Sequence, residues 1–160
     1  MIRPMQEADK PAVMTMLQAT GMFAAAEIDV AEELIDIFLQ QPKQNDYRVV
    51  VIENPNHEIA GYMTFGPTPL TNGTYDLYWI AVSPQEQGRG FGHKMMNWLE
   101  NHLEENNGRL LIIETSSQVK YESTRSFYLK QHYRESVRIA DFYKPGDDRI
   151  IYVKYFSQRS

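Results

Sequence analysis

The chain of 160 residues has the length of a single domain, with 42% hydrophobic and 23% charged residues and a formal net charge of −5 at pH 7. It contains no cysteine, which excludes disulfide bonds, thiolate metal sites and a cysteine nucleophile. No apolar run reaches the roughly 20 residues of a membrane-spanning helix, and no cluster of Lys and Arg indicates a nucleic-acid surface. We therefore expect one cytoplasmic domain over residues 1–160 that binds neither membranes nor nucleic acids.

Hydrophobic periodicity and turn residues divide the chain into seven predicted strands and four predicted helices. Asp9 and Pro11 are typical of the start of a first helix, and Pro42 ends the second. Two sets of apolar residues each predict one buried helix face: Val30, Leu34, Ile37 and Phe38 on the second helix, and Phe91, Met95, Leu99 and Leu103, at four-residue spacing, on the third. The unbroken apolar run at residues 110–113 predicts a strand that is buried on both faces. In chain order, we predict strand 2–3, helices 9–19 and 30–41, strands 47–53, 59–65 and 75–82, a helix from Phe91 to before Asn107, strand 109–114, helix 123–131, and strands 133–142 and 150–156.

The order of these elements, β-α-α-β-β-β-α-β-α-β-β, indicates the fold class. A strand–helix–strand unit lies in the middle of the chain, and segments typical of antiparallel strands precede and follow it. This order implies an α/β protein of the mixed α+β kind. We expect a central mixed β-sheet of about seven strands, with about four helices that cover both of its faces.

Residues 87–92, Gln-Gly-Arg-Gly-Phe-Gly, carry three glycines at the turn between strand 75–82 and the helix that starts at Phe91. At a helix start, the first backbone N–H groups lack partners within the helix and point outward with the positive end of the helix dipole. Glycine also lets the backbone approach a ligand closely. This turn therefore predicts a binding site for a phosphate group.

Three other roles of this glycine run fit its spacing to different degrees. A P-loop requires Lys and then Ser or Thr after its last glycine, and neither stands there. A dinucleotide-binding turn requires glycine at the position of His93, although Glu114 lies near the distance of its ribose-binding acidic residue. Close packing of a helix on a strand also requires small residues. The spacing argues against a P-loop, weakens a dinucleotide site and leaves the packing role open.

Gln87, Gly90 and Gly92 match the pattern [RQ]-x-x-G-x-[GA]. This pattern resembles the loop that binds the pyrophosphate of acetyl-CoA in the GNAT superfamily of N-acetyltransferases, and the order of elements is also the GNAT order. The resemblance implies acetyl-CoA as the acyl-donor cosubstrate. It implies that the pantetheine arm lies along the strand end Ile80-Ala81-Val82. It also implies that the phosphate end of the cofactor is bound by Gln87, Gly88, Arg89, Gly90, Phe91, Gly92 and His93.

Residues 127–133, F-Y-L-K-Q-H-Y, resemble the family signature F/L-Y-x-x-x-G-F on the helix after the fifth strand. The resemblance implies that Tyr128 donates a proton to the departing CoA thiolate; a tyrosine with its usual pKa of about 10 is protonated at neutral pH. The alternative is a core aromatic residue whose hydroxyl finds a partner. His132 departs from the signature glycine, and Tyr121 replaces an asparagine usual in the family. Ser123 then either offers its hydroxyl to CoA or, as we expect, caps the helix.

Two carboxylates are candidates for the base that takes a proton from an ammonium substrate. Asp76 lies on the strand before the glycine turn, and Glu114 ends the next predicted strand. Either acts directly or through a water molecule, and the alternative is that both are ordinary strand-end carboxylates. The four histidines contain no i, i+4 pair, so we expect no metal site.

The resemblance implies an enzyme that transfers an acetyl group from acetyl-CoA to a primary amine by direct attack in a ternary complex. The acceptor is a small amine, a polyamine or an amine of a peptide or protein. The alternatives are a non-catalytic module that binds CoA as a sensor or scaffold, and a nucleotide-dependent oxidoreductase. The aromatic C-terminal hairpin is a candidate interface for a homodimer.

Overall fold

A computed structural model describes residues 1–156, and residues 157–160 of the predicted domain lie outside the described part. None of the helices in this part has both the length and the hydrophobicity that a membrane-spanning helix requires. In chain order, the elements are β1 (Ile2–Pro4), α1 (Lys10–Ala19), α2 (Ala25–Gln40), β2 (Arg48–Glu53), β3 (Ile59–Pro67), β4 (Thr74–Val82), α3 (Phe91–Glu105), β5 (Leu110–Ser116), α4 (Glu122–Lys130), β6 (Arg134–Lys144) and β7 (Asp147–Tyr155).

The strands form one sheet in the order β1-β2-β3-β4-β5-β7-β6. Every pair of neighbouring strands is antiparallel except β4 and β5, which run parallel. A parallel pair requires a crossover between its strands, and α3 supplies it. These observations confirm the predicted α/β fold with a mixed sheet.

Two apolar cores lie on opposite faces of the sheet. On one face, α3 buries the apolar residues that recur at four-residue spacing, and Tyr128 of α4 joins the same core. On the other face, α1 and α2 bury Leu17 and Ile35 against Val51 and Tyr62 of the sheet. Helices therefore cover both faces, as the order of the elements predicts.

Helix α2 begins five residues before its predicted start. The prediction placed Val30 at the helix start with its side chain towards the core, but Val30 is 45% exposed and the helix already begins at Ala25. The Glu27 carboxylate accepts a hydrogen bond from the N–H of Ala24 at 3.1 Å, which satisfies one of the free amides of the first turn. Local capping, which the apolar spacing does not report, explains the earlier start.

Strands β4 and β5 separate at one end, and this separation positions the candidate site. Their pairing ends at Leu77 and Ile113, so the later residues of β4 pair with β3 alone. The register between β3 and β4 shifts between Thr64 and Phe65, which leaves Tyr78 as an extra residue on β4. A bulge bends the strand that carries it, so the end of β4 turns away from β5. We call the opening between the two strand ends the β4–β5 gap.

Candidate active site

The glycine turn between β4 and α3 has a backbone that glycine adopts without strain. A short 3-10 turn over Pro84–Glu86 leads into it, and Gly90 is the N-cap residue of α3. Gly88 and Gly90 have φ angles of +78° and +84°, in the left-handed region. A Cβ at either position would have no protein atom within 4 Å. These two glycines therefore serve backbone conformation and leave the surface of the turn open.

The first backbone N–H groups of α3 are available to an anion. Within the described part of the chain, no hydrogen bond is found from the N–H groups of residues 89–93 to another protein atom. The next donor along the chain is the N–H of Lys94, which bonds to the carbonyl oxygen of Gly90 at 3.0 Å. Consecutive free donors at the positive end of the helix dipole attract negative charge. This geometry fits the predicted phosphate site.

The side chains of Gln87 and Arg89 are directed at neighbouring protein groups. Gln87 Nε2 donates a hydrogen bond to the carbonyl oxygen of Val82 at 3.3 Å, which ties the turn to the end of β4. Arg89 forms an ion pair with Glu86 at 3.0 Å, and 66% of its side chain remains exposed. The backbone of the turn, more than its side chains, therefore faces the candidate phosphate site.

Gly92 and His93 connect the turn to α4. A Cβ at Gly92 would lie 3.3 Å from the Phe127 ring and 4.0 Å from a methyl group of Val82. His93 Nδ1 lies 2.8 Å from Oε1 of Gln131, just after α4. The third glycine thus serves close packing, the alternative role for this motif, while the other two do not. The end of β4, the start of α3 and helix α4 meet at this point.

Ile80, Ala81 and Val82 lie beside the β4–β5 gap. On one side they pair with β3, and on the other side β5 no longer pairs with them. Ile80 and Val82 contact the core under α3, and Ala81 belongs to the core under α1 and α2. A free strand edge offers backbone N–H and C=O groups to an extended ligand that contains amides.

Tyr128 is a buried residue of α4, with 3% of its surface exposed. Its ring centroid lies 6.2 Å from that of Tyr133 and 6.0 Å from that of Tyr152. Burial raises the pKa of Tyr128, so its hydroxyl is protonated at neutral pH. The hydroxyl makes no hydrogen bond to any described residue and is not one of the fully buried unpartnered oxygens. Tyr128 therefore combines a core ring with an available proton.

Helix α4 ends in a left-handed residue although His132 replaces the signature glycine. His132 has a φ angle of +70°. Its N–H bonds to the carbonyl oxygen of Leu129 at 3.1 Å, and the N–H of Tyr133 bonds to that of Tyr128 at 3.0 Å. These two bonds form a Schellman motif, which satisfies carbonyl groups of the last turn. The substitution therefore preserves the helix end and the position of Tyr128.

Ser123 does not cap α4, contrary to the prediction. A 3-10 turn over Val119–Tyr121 leads directly into the helix, and Tyr121 occupies the N-cap position without a capping side-chain bond. Ser123 is therefore the second residue of α4, and it is exposed. Tyr121 instead donates its hydroxyl to the carbonyl oxygen of Met22 at 2.9 Å, which fastens the connection between α1 and α2 to the start of α4.

The two candidate bases lie at different places relative to the β4–β5 gap. Asp76 pairs with Ile112, where β4 and β5 are still joined, and accepts a hydrogen bond from Thr68 Oγ1 at 2.6 Å. Glu114 is the first residue of β5 after its last pair with β4, and 44% of its side chain is exposed. It forms an ion pair with Arg149 of β7. Glu114 therefore lies at the gap, whereas Asp76 lies in the part of the sheet where β4 and β5 are still paired.

Sequence reasoning assigned no individual role to three residues around Glu114 and its partner, namely Arg149, Phe142 and Tyr143. Arg149 lies on β7 with its guanidinium carbon 5.0 Å from the centroid of the Phe142 ring. Burial raises the pKa of Tyr143 to about 12, and the neighbouring Glu114 charge contributes in the same direction. The hairpin pattern contains no signal for their contacts with Glu114. Those contacts arise because the sheet order places β7 next to β5.

Asp147, another residue that the sequence did not single out, joins the end of β5 to the start of β7. It is 4% exposed and accepts hydrogen bonds from Ser116 Oγ and, at 2.6 Å, from Gln118 Nε2. Burial raises the pKa of Asp147, but these two bonds and the backbone N–H of Ser117 outweigh it, so the pKa is lowered. The ionised carboxylate therefore holds the segment that leads from Glu114 to α4.

Asp147→Asn is expected to lower the free energy of unfolding at pH 7 by about 1–3 kcal/mol, because it weakens hydrogen bonds to a charged group. A lowered folded-state pKa gives stability that is present above the unfolded pKa of about 3.9 and is lost as the pH falls through the folded pKa. The difference between variant and parent should therefore shrink below about pH 4 in urea titrations. Asp29→Asn, at an exposed position of α2, is the control. A difference that grows with acidity would contradict this role.

The four histidines lie apart in the fold. His57 is in the turn between β2 and β3, His93 and His102 are on α3, and His132 follows α4. Among residues 1–156, no group of three or more His, Cys, Asp or Glu is arranged to hold a metal ion.

Comparison of the sequence with protein-family models gives one match, to the acetyltransferase (GNAT) domain, over residues 45–135. This range is more than half of the chain. It includes β4, the glycine turn, α3 and α4, which are the elements of the candidate site. No curated protein matches the sequence significantly.

Solved structures give the same family. A protein of the GNAT family from Desulfovibrio desulfuricans is 38% identical with a TM-score of 0.91, over 97% of this chain and 98% of that one. Two further structures share the fold. One is an aminoglycoside 6'-N-acetyltransferase complexed with coenzyme A, which is 15% identical with a TM-score of 0.77, over 100% of this chain and 99% of that one. The other is the ribosomal-protein-S18-alanine N-acetyltransferase from Escherichia coli, which is 17% identical with a TM-score of 0.76, over 100% of this chain and 96% of that one. The chain therefore belongs to the GNAT family of acetyltransferases.

Proposed function

We propose that this protein, as one domain, transfers an acetyl group from acetyl-CoA to a primary amine by direct attack in a ternary complex. The observation that carries the proposal is the β4–β5 gap, which opens beside the free amides of the glycine turn. Two proteins of the same fold are N-acetyltransferases, and one of them is complexed with coenzyme A. Their names support an amino group as the acceptor.

In this proposal, two parts of the cofactor, the pyrophosphate and the pantetheine arm, each bind a different part of the site. The pyrophosphate binds the N–H groups of residues 89–93 at the start of α3, where no protein acceptor competes. The pantetheine arm lies in the β4–β5 gap and pairs with the free edge of residues 80–82. Ser123, exposed in the first turn of α4, is available to the cofactor as a hydroxyl donor. The acetyl thioester then lies near the end of β5.

The chemistry needs one proton donor and one proton acceptor. The amine nitrogen attacks the carbonyl carbon of the thioester, and the carbon–sulfur bond breaks. Tyr128 donates its phenolic proton to the departing sulfur, since burial keeps that hydroxyl protonated. Glu114, the carboxylate at the gap, accepts a proton from the amine, directly or through a water molecule. Binding both substrates side by side also lowers the activation barrier, because the two reacting groups are already held together in the right orientation.

Isothermal titration calorimetry with acetyl-CoA tests the cofactor part of the proposal. We expect saturable binding of acetyl-CoA, and no heat with NAD at the same concentrations, because the spacing of the glycines disfavours a dinucleotide. Absence of acetyl-CoA binding in the high micromolar range would end the proposal. Binding of NAD in place of acetyl-CoA would favour the oxidoreductase.

Glu114→Gln is expected to lower kcat by about 10²-fold, because glutamine keeps the size of the side chain but accepts no proton. We expect the Kd of acetyl-CoA to stay unchanged, because Glu114 is not among the residues proposed to bind the cofactor. Asp76→Asn is the matched control: the amide keeps an oxygen for the Thr68 hydroxyl, and the position lies where β4 and β5 are still paired. Release of free CoA, followed with a thiol reagent, measures both variants. A loss confined to Asp76→Asn would transfer the base role to Asp76, and full activity in both variants would exclude both of these carboxylates as the base.

The ion pair between Glu114 and Arg149 favours one alternative, a CoA-binding sensor or scaffold without catalysis. The Glu114 carboxylate already binds Arg149, so an incoming amine has to compete with that arginine for it. Such a module would bind acetyl-CoA in the calorimeter but release no thiol above background with any amine. Thiol release against a panel of amines therefore separates the two functions.

A homodimer through the C-terminal hairpin stays a prediction. Strand β6 forms one edge of the sheet, and all of its residues are exposed. Val137 and Ile139 on this edge are 43% and 41% exposed. Exposed edge strands with apolar side chains are templates for pairing with another chain.

A further inference from the structure

We infer that the acceptor is a zwitterionic amino acid whose carboxylate binds Arg149 and whose ammonium group binds Glu114. This inference rests on the proposed transfer to an amine and narrows its acceptor to one chemical class. The feature that carries it is a pair of opposite charges at the β4–β5 gap, with the arginine only partly used by the protein.

Arg149 and Glu114 project from the same face of the sheet. Arg149 pairs with Ser116 across β5 and β7, and Glu114 lies two residues before Ser116, so the alternation of side chains puts all three on one face. Because the Arg149 and Glu114 side chains share this face, they are close enough to form their ion pair. Both are also accessible, with 33% of the Arg149 side chain and 44% of the Glu114 side chain exposed.

The guanidinium group of Arg149 has N–H donors that make no hydrogen bond to the described part of the protein. Its Nε is buried beside Glu114 without an aligned hydrogen bond. Within residues 1–156, no hydrogen bond from its other nitrogens is found, and its flat face lies against the Phe142 ring. Arginine has five N–H donors in a planar fork that matches both oxygens of a carboxylate. A bound carboxylate would use the donors that the protein leaves free.

The spacing of the two charges matches an amino acid better than it matches other amines. In an α-amino acid, one carbon separates the ammonium group from the carboxylate, so two side chains in contact bind both groups at once. A polyamine would place a second positive charge near Arg149, which is unfavourable. The amino group of a bound amino acid would also contact Glu114, the residue proposed to accept its proton.

The walls beside the charge pair are aromatic. Phe142 and Tyr143 on the hairpin are 48% and 45% exposed, and their rings contact each other with centroids 5.0 Å apart. Exposed aromatic surface of this kind packs well against an apolar or aromatic side chain. We therefore expect amino acids with apolar side chains to be the better acceptors within the class.

A panel of acceptors with and without the carboxylate tests the inference. The standard L-amino acids are each compared with their C-terminal amides, and phenethylamine and spermidine represent amines without a carboxylate; thiol release gives kcat/KM. We expect the preferred amino acid to exceed its amide by at least about tenfold, as for the loss of one charge-assisted pair. Arg149→Met, of similar length, should reduce that ratio to near unity and leave the Kd of acetyl-CoA unchanged.

Arg138→Met is the matched control for the arginine. Arg138 lies on the same hairpin, but it pairs with Ile150 and bonds to Glu135 and Asp148, on the other face of the sheet. We expect this variant to keep the preference for the amino acid over its amide. A preference lost equally in both variants would point to a disturbed hairpin and would overturn the role of Arg149.

Other outcomes overturn the inference in distinguishable ways. If amides, phenethylamine or spermidine are acetylated as fast as every amino acid, the acetyltransferase proposal stands and the inference falls. If the amino-acid preference persists in Arg149→Met, the carboxylate binds elsewhere and the inference falls. If acetyl-CoA does not bind in the calorimeter, the proposed function and the inference fall together.

Discussion

Tyr128→Phe is expected to lower kcat by about 10²-fold or more and to leave the Kd of acetyl-CoA nearly unchanged. The variant removes only the hydroxyl of this buried side chain. The ring, which packs near Tyr133 and Tyr152, is retained, so we expect no loss in Tm. Steady-state thiol release, calorimetry with acetyl-CoA and thermal unfolding measure the three quantities.

Tyr155→Phe is the control for this substitution. Tyr155 ends β7, is 59% exposed, and contacts Arg134 through its ring, so the control removes a phenol outside the gap. We expect its kcat to match that of the parent. An unchanged kcat in Tyr128→Phe would remove Tyr128 from the role of acid, and a large fall in Tm would show that the hydroxyl stabilises the fold.

Gly90→Ala is expected to weaken acetyl-CoA binding by at least about tenfold, a change of about 1.4 kcal/mol. Gly90 has a φ angle of +84°, and an alanine there is strained by roughly 1–2 kcal/mol. The chain relieves the strain by rotating the peptide groups of the turn, which redirects the N–H groups that face the phosphate site. Calorimetry with acetyl-CoA gives the Kd, and urea unfolding gives the stability.

The chain offers a closely matched control for this glycine. Gly146, in the turn between β6 and β7, has a φ angle of +82°, and a Cβ there also meets no protein atom within 4 Å. Gly146→Ala should therefore lose a similar free energy of unfolding while the Kd of acetyl-CoA stays unchanged. Equal affinity in the two variants would show that the glycine turn does not bind the cofactor.

Local sequence patterns predicted much of the fold because they report short-range physics. The four-residue spacing of Phe91, Met95, Leu99 and Leu103 gave α3, and all four residues are buried. The predicted element order is confirmed, with the largest boundary differences at the start of α2 and at the ends of the strands. Val30 was wrong as a core residue, because the face of α2 that packs on the sheet carries Ala31, Leu34 and Ile35 instead.

The candidate site was predictable only in part. The glycine turn and Tyr128 belong to contiguous motifs, so the residues themselves pointed to them. The N-cap role of Ser123 was wrong, because a 3-10 turn carries the chain into α4 one residue earlier. Arg149 and Asp147 received no individual role, because the residues to which they bind on β5 and just after it lie at least 29 residues away along the chain: Glu114 for Arg149, and Ser116 and Gln118 for Asp147.

The sequence by itself determined the order of elements, the open glycine turn and the buried face of α3, because periodicity, turn chemistry and glycine conformation are local properties. Only the tertiary structure decided where β4 leaves β5, which carboxylate lies at that gap, and which arginine reaches it. These features depend on strand register and on the neighbour that each strand receives in the sheet. Register and neighbours are set by pairing between distant segments, which no local pattern records.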